Sequence, residues 1–349
     1  MAFFDSERLK VAAVVTFYMS SALIMVFVNK AVLNSSPDLP LLFLLLQLLI
    51  AVVLLHGTAA VSDKVKIPKV EIEVAKKLFP VVAVNIVGLV FNTLCLRDVE
   101  ASFFQIARGL VLPLTIAVSS LYSRSSPSRM VLVSATVVTL GFMLGVAPSS
   151  SLPVTAIPST LSLFYGVLSS LFIAFHAVLI KNSLPYCNNS TIELAWWTNA
   201  GSAILIFPFV ILHGEPFKLY GLSQSTSWNS TTFIWGSLVT GLFGFLLCVA
   251  GLLSIKVTSP ITHMFSSAAR SVLQTALGVR IFGDILTVNR AISITVILGG
   301  TMLYTWIKST GPATPPPSKA PADVELGNRE GQEETTVLWQ MEEDKDEKK

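Results

Sequence analysis

Two arginines interrupt strongly apolar segments and could bind an anion. Arg108 ends the stretch Phe103-Phe-Gln-Ile-Ala-Arg108, and Arg270 ends the similar stretch Phe265-Ser-Ser-Ala-Ala-Arg270, 162 positions later. A charge within a bilayer normally faces a watery cavity or a partner, because exposure to lipid is unfavourable by several kcal/mol. The hydrophobic segments offer no Asp or Glu as that partner, so the pair predicts a ligand that brings negative charge, and phosphate suits a guanidinium fork. Alternatively, Arg108 lies near a helix end and reaches the interface.

The composition is that of a polytopic membrane protein. Of 349 residues, 52% are hydrophobic and 13% charged, with a mean hydropathy of +0.69. A helix needs roughly 20 apolar residues to cross the hydrocarbon. The sequence predicts an all-α integral membrane fold with ten transmembrane helices over 9–31, 39–61, 78–96, 103–122, 130–147, 159–180, 192–212, 232–255, 261–282 and 287–307.

The distribution of lysine and arginine predicts the orientation. Ten spans put both termini on one side, and most Lys and Arg residues near span ends fall on that side. The opposite side receives Lys30, Arg97, Lys218, Arg280 and Arg290. Cytosolic loops are enriched in positive charge, so we expect both termini in the cytosol. The first apolar stretch is a full span without a signal-peptide cleavage pattern, so it should stay in the mature chain.

The sequence predicts a ten-span membrane domain over 1–308 and a disordered, acidic cytosolic tail over 309–349, rich in Pro and then in Glu, Asp and Lys. The arginine match and the similar span ends at Lys30 and Lys181 indicate two repeats, about 9–147 and 159–308. Five spans each would give them opposite topology. Inverted repeats are common in transporters, with substrate held near the midplane between the halves.

Residues for enzymatic chemistry are poorly represented. The histidines are isolated, with neither carboxylate-rich motifs nor metal-ligand spacing, and the cysteines have no paired spacing. No Gly-x-x-x-x-Gly-Lys loop is present. We therefore expect no enzyme, no metal and no cofactor. Intramembrane amides and hydroxyls could contact a base or sugar, although each could equally bond between helices. They are Asn29, Asn92, Gln105, Asn199, Ser266, Ser267 and Gln274.

Several motifs together resemble those of the nucleotide-sugar transporters in the drug/metabolite transporter superfamily, and most closely the GDP-fucose transporters. The resemblance covers essentially the whole membrane domain. It is carried by Tyr18-Met-Ser-Ser, Val28-Asn-Lys30, Phe91-Asn-Thr-Leu-Cys-Leu, Phe103-Phe-x-x-x-Arg108, Gly241-Leu-Phe-Gly-Phe, and Thr258-Ser-Pro-x-Thr-His263 leading to Arg270 and Gln274-Thr275.

This resemblance implies a ten-span Golgi antiporter that imports a nucleotide sugar into the lumen in exchange for the nucleoside monophosphate. GDP-sugar members carry Phe-Tyr-Asn-Asn on the seventh span and a small-residue motif ending in Lys on the ninth. Here these are Trp196-Trp197-Thr198-Asn199 and Ser267-Ala-Ala-Arg270. Replacing Lys by Arg keeps the charge for phosphate and adds a bidentate fork, whereas the altered seventh-span motif leaves the base and sugar open.

The resemblance and the residues together give each candidate a role. Arg270 would pair with the diphosphate, and Asn199 with Trp197, in the motif that includes Thr198, would hold the base. Electrostatic guidance or gate contacts would come from Lys30, Arg108 and Lys181, and the site would be lined by Tyr18, Ser266 and Ser267.

The expected partners are a nucleotide sugar, a nucleoside monophosphate and the lipid bilayer, with a homodimer left open and no nucleic acid. The resemblance implies residence in the Golgi membrane, and the C-terminal lysines do not argue for the endoplasmic reticulum, since they do not occupy the places of a dilysine retrieval signal. The alternatives are a sugar-phosphate or triose-phosphate translocator, a UDP-sugar transporter of the same fold and, more remotely, a membrane-embedded transferase.

Overall fold

The apolar segments of the sequence form long helices. The computed structural model describes residues 2–62, 65–147, 158–225, 228–257 and 260–310, and within these ranges the fold is all-helical, without strands. The elements are α1 Ala2–Ser35, α2 Pro40–Val61, α3 Ile72–Asp98, α4 Ala101–Ala107, α5 Val111–Ser123, α6 Arg129–Val146, α7 Thr160–Ser183, a 3-10 helix Leu184–Cys187, α8 Thr191–Leu212, α9 Glu215–Ser223, α10 Ser230–Val257, α11 Pro260–Phe282 and α12 Val288–Thr310.

Local sequence signals start several of these helices. Ser128, Ser159 and Ser190 precede α6, α7 and α8, and each hydroxyl accepts a hydrogen bond from a backbone N–H in the first turn. Such caps satisfy N–H groups that have no partner inside the helix. Pro40 begins α2, where its missing N–H is harmless. These caps fix where the chain enters the bundle.

Nine helical segments among the described residues are long and apolar enough to cross a membrane. They match nine of the ten predicted spans. The predicted span at 261–282, the ninth along the chain, is not among them. Its helix, α11, carries Arg270, Arg280 and a run of polar side chains that lower its hydropathy. A membrane protein is thus confirmed, and the count of ten remains a prediction. The fourth span is broken, since α4 ends at Ala107 and α5 begins at Val111.

Contacts between loops define one end of the bundle. Lys30 near the end of α1 binds the end of α3, Leu41 N–H binds Glu215 at the start of α9, and Ile285 N–H binds Glu100 before α4. We call this the Glu100 end. At the opposite end, the ammonium of Lys77 lies 5.3 Å from the ring centre of Tyr186, and we call it the Tyr186 end.

Helix packing places the interior between the first and second halves of the chain. The most extensive packing joins α3 to α7 and α1 to α10, while α2 contacts α8 and α10, and α4 contacts α11. An apolar cluster around Phe43, Phe103 and Phe104 fills one region, and another around Leu78, Trp196 and Trp197 fills a second. Residues up to Ser309 form one compact unit, and the predicted tail lies outside the described residues from 311 onward.

Candidate functional site

Arg108 occupies the break in the fourth span. Its backbone dihedrals (φ −87°, ψ −2°) lie at the edge of the helical region, and α5 starts only three residues later. Gly109 follows, and a Cβ there would lie 2.8 Å from Cδ1 of Ile297 on α12, so glycine lets the two segments approach. The guanidinium carbon of Arg108 lies 5.5 Å from the ring centre of Phe104, and the side chain is half-buried.

Arg270 lies on α11, which packs against α4. Its Nη1 donates a long hydrogen bond of 3.4 Å to Oε1 of Gln274, and its Nε is buried without a hydrogen-bond partner among the described residues. Gln274 in turn donates to the carbonyl of Ala101 at 3.1 Å. Gln105 of α4 donates to Ser271 of α11 at 2.6 Å. These polar contacts hold the two helices side by side.

The structure brings Arg108, Arg270 and Tyr18 together. Arg108 lies within electrostatic range of Arg270, and Tyr18 lies within range of both. Within the described ranges, neither arginine has a carboxylate oxygen within the 4.0 Å of an ion pair. The two like charges repel, and burial strengthens the repulsion. This arrangement favours an anion in the neighbourhood of the two guanidinium groups.

Lys30 does not join these arginines in a direct contact. Its buried ammonium donates to the carbonyl of Leu96 at 2.9 Å and of Arg97 at 3.0 Å, where α3 ends. Terminal carbonyls of a helix lack partners inside the helix and carry partial negative charge. Lys30 therefore ties α1 to α3 at the Glu100 end, and its role as a gate contact remains a prediction.

A network of charged groups at the same end was not predicted from the sequence. Glu100 accepts hydrogen bonds from Nη1 of Arg290 and, at 3.3 Å, from Ile285 N–H. Asp284 accepts from Ser102 N–H at 2.7 Å. Arg290 is only 2% exposed. The loop between α11 and α12 is thus held against the start of α4, and we call these four residues, Glu100, Ser102, Asp284 and Arg290, the Glu100 network.

The residues predicted to hold a base lie on α8. Nδ2 of Asn199 donates to the carbonyl of Ala195 at 2.7 Å, and the hydroxyl of Thr198 donates to the carbonyl of Leu194 at 3.0 Å. Trp197 packs edge-on against Trp196 in the apolar cluster of α2, α3 and α8. No hydrogen bond to the carboxamide oxygen of Asn199 is found among the described residues. The side chains of Lys181, Ser266 and Ser267, predicted at the site, lie outside the described residues.

Comparison with known proteins gives the chain's relationships. The model of the Triose-phosphate Transporter family matches residues 9–305. Proteins named GDP-fucose transporter 1 are 30% identical, one from Dictyostelium discoideum over 84% of this chain and 79% of the relative, and one from Mus musculus over 86% and 84%. The UDP-sugar transporter UST74c from Drosophila melanogaster is 22% identical over 83% and 76%.

A solved crystal structure shares the fold. It superimposes with a TM-score of 0.50 at 15% identity, covering 87% of this chain and 97% of the other. At that identity the likeness concerns architecture alone.

Proposed function

The chain belongs to the Triose-phosphate Transporter family, and from this premise we propose that it exchanges a nucleotide sugar, of the GDP-fucose type, for a nucleoside monophosphate across the Golgi membrane. Family membership makes it a transporter rather than an enzyme. The relatives named GDP-fucose transporter, one of them with the word Golgi in its name, favour the GDP-sugar and the compartment. The observation that carries the proposal is the Arg108 and Arg270 pair, which has no carboxylate in ion-pair range among the described residues.

The helix packing supports two inverted repeats. Exchanging the halves would map α1, α2 and α3 onto α7, α8 and α10, and α4 with α5 onto α11. Under that exchange the α3–α7 contact becomes α10–α1, and α2–α10 becomes α8–α3, while α2–α8 and α4–α11 map onto themselves. All these pairs are in contact. Arg108 and Arg270 would then lie on equivalent spans, so a diphosphate between them would occupy the boundary between the halves, as in other inverted-repeat transporters.

The charges also favour exchange over free movement of the empty carrier. A cavity with two adjacent guanidinium groups is unfavourable to enclose without an anion, because desolvation strengthens their repulsion. A bound diphosphate or monophosphate supplies the missing charge through bidentate hydrogen bonds. The loaded forms would therefore switch sides more readily than the empty one. In the proposed orientation the Tyr186 end faces the cytosol with both termini, and the Glu100 end faces the lumen.

Reconstitution in liposomes tests the proposal. Vesicles loaded with GMP or UMP are supplied with labelled GDP-fucose, GDP-mannose or a UDP-sugar, and uptake is measured against empty vesicles. We expect uptake of the GDP-sugars that depends on internal GMP. Arg270→Ala should lower it roughly 100-fold, because two charge-assisted hydrogen bonds are lost. Arg280→Ala, an exposed charge on the same helix, is the matched control and should leave uptake unchanged.

The other outcomes select the alternatives. Uptake against UMP alone would make the chain a UDP-sugar transporter, as the name of the Drosophila relative would suggest. Uptake of phosphorylated sugars alone, insensitive to free nucleotides, would indicate a sugar-phosphate translocator. Equal uptake into loaded and empty vesicles would refute exchange.

A further inference from the structure

Two polar clusters in the membrane domain occupy corresponding helices of the two halves. The Gln47 cluster consists of Asn29 on α1, Gln47 on α2 and Thr240 on α10. Exchange of the halves would place its counterpart on α7, α8 and α3. Those helices carry His176, Ser202 and Asn85, which we call the Asn85 cluster. Polar groups within a bilayer must find hydrogen-bond partners, so the two clusters can be compared group by group.

In the Gln47 cluster the carboxamide nitrogen of Gln47 finds its partners within the protein. Both hydrogens of Gln47 Nε2 are used, one toward Asn29 Oδ1 at 2.7 Å and one toward Thr240 Oγ1 at 2.8 Å. Thr240 also donates to the carbonyl of Gly236 at 2.7 Å. The cluster thus joins three helices, and none of its described side-chain nitrogen or oxygen atoms is both buried and without a partner. Such hydrogen bonds between helices stabilise the bundle.

The Asn85 cluster leaves hydrogen-bonding groups open. Nδ2 of Asn85 donates to the hydroxyl of Ser202 at 3.2 Å, and no hydrogen bond to its Oδ1 is found in the described part of the chain. Nε2 of His176 is buried and has no partner there either. A buried polar atom without a partner is unfavourable by about 1–3 kcal/mol. Among the described residues, the Asn85 cluster therefore contains a buried ring nitrogen without a partner, whereas the Gln47 cluster contains no such atom.

The register of α3 and α7 places His176 opposite Asn85. The two helices run antiparallel, and Ser169 contacts Asn92 at 3.4 Å. One turn further, the Cβ position of Gly88 lies 3.1 Å from Cβ of Phe172. The next turn, three residues back along α3 and four residues forward along α7, pairs Asn85 with His176. Both side chains are half-buried.

The distance from the arginines suits the length of a nucleotide. Ser170 of α7 donates to the carbonyl of Ala107, next to Arg108, at 3.3 Å. His176 lies six residues further along α7, about 9 Å at the helical rise, toward the Tyr186 end. Asn199 is one turn from Ser202 on α8. A nucleotide with its phosphates at the arginines would therefore extend its base toward these side chains.

We propose that His176 and Asn85, with Ser202, form the hydrogen-bonding wall that reads the nucleobase edge, beside Asn199; this rests on the proposed function. With its proton on Nε2, His176 would donate to an acceptor such as O6 or N7 of guanine. Asn85 would offer its Oδ1 to a donor of the base. The ligand supplies the partners that the Gln47 cluster finds within the protein.

Competition by GMP and by inorganic pyrophosphate tests this assignment, because pyrophosphate offers the anion without a base. Each compound is titrated against exchange in proteoliposomes. We expect His176→Ala to weaken inhibition by GMP roughly tenfold and to leave inhibition by pyrophosphate unchanged. Asn85→Ala should act in the same direction. Thr240→Ala in the Gln47 cluster is the matched control, and it should leave the ratio of the two inhibition constants at the wild-type value.

The outcomes separate this inference from the proposed function. An unchanged ratio in both His176→Ala and Asn85→Ala, with exchange intact, would overturn the nucleobase assignment and leave the transporter proposal in place. Wild-type protein that GMP does not inhibit would overturn the function and this inference together. If His176→Ala does not fold, His176→Gln preserves bulk and a donor, and Asn85→Ala carries the decision.

Discussion

Arg290 at the Glu100 end and the pair Arg108 and Arg270 in the middle of the bundle are all positive charges inside the protein. They differ in whether the described residues supply a negative charge beside them. Arg290 is almost fully buried and is paired with Glu100. Arg108 and Arg270 lie close enough to repel each other, and within the described ranges neither has a carboxylate in ion-pair range. A charge that is neutralised by the protein supports structure, whereas one left without a counter-ion is available to a ligand.

The two arrangements act on the same pair of helices. α4 carries Arg108 at its end, and it begins beside Glu100 and Ser102, while α11 carries Arg270 and leads into Asp284. Glu100 and Asp284 hold the helix ends together without a ligand. Repulsion between the central arginines opposes the packing of the same helices, and under the proposed function a bound anion would relieve it. Movement of α4 against α11 would therefore couple ligand binding to opening of the Glu100 end.

Removing Arg290 should have the largest effect on stability. Arg290→Met leaves Glu100 partly buried without its partner, and breaking a buried ion pair costs about 3–5 kcal/mol. We expect a clear fall in Tm, measured by thermal unfolding of the purified protein in detergent. Arg270→Met, the matched change at the centre, should leave Tm unchanged or raise it, since it removes a repulsive charge. Equal falls in both variants would break the distinction between the two kinds of arginine.

Gly278→Ala tests the Glu100 network without altering any charge. An added Cβ would lie 2.6 Å from Oδ2 of Asp284 and 3.3 Å from Ser102 N, so the carboxylate must leave its hydrogen bond. The loss of a charged hydrogen bond exceeds the roughly 1 kcal/mol that alanine adds to a helix. We expect a net loss of about 1 kcal/mol, seen as a smaller fall in Tm than for Arg290→Met.

Gly299→Ala on α12 is the control for that change. Nothing lies within 4 Å of its added Cβ, so the gain in helix propensity should appear alone and raise Tm. A rise in Tm for Gly278→Ala as well would mean that the Asp284 hydrogen bond contributes little.

Hydropathy predicted most helix positions because lipid requires long apolar helices with internal hydrogen bonds. The predicted third span, 78–96, is shorter than α3, which begins at Ile72. The first turns of α3 carry Lys76 and Lys77 and extend beyond the apolar segment. Hydropathy also missed the break after Ala107. The sequence Arg108-Gly109 carried a signal for that break, since glycine weakens a helix, but apolar residues on both sides concealed it.

The site could be predicted only in part, for a physical reason. An isolated arginine in an apolar segment can be recognised from the sequence, so Arg108 and Arg270 could be named as candidates. The structure places them within electrostatic range of each other, and their role in binding remains a prediction. The Glu100 network depends on contacts between residues about 190 positions apart. Those residues lie at helix ends, where charged side chains are common, so the sequence did not single them out. His176 was seen as an isolated histidine, because its position opposite Asn85 follows from the helix register alone.

An exposed ion pair should show the smallest effect. Lys76 contacts Glu73 at 3.2 Å with side chains 68% and 72% exposed, on the first turns of α3. Solvent screens such pairs, and they contribute from zero to about 1 kcal/mol, so Glu73→Gln should shift Tm by less than Gly278→Ala does. The small remaining effect should fade in high salt. If Glu73→Gln lowered Tm as much as Arg290→Met, burial would not decide what an ion pair contributes here. The lack of a carboxylate beside Arg108 and Arg270 among the described residues would then no longer be evidence for a ligand.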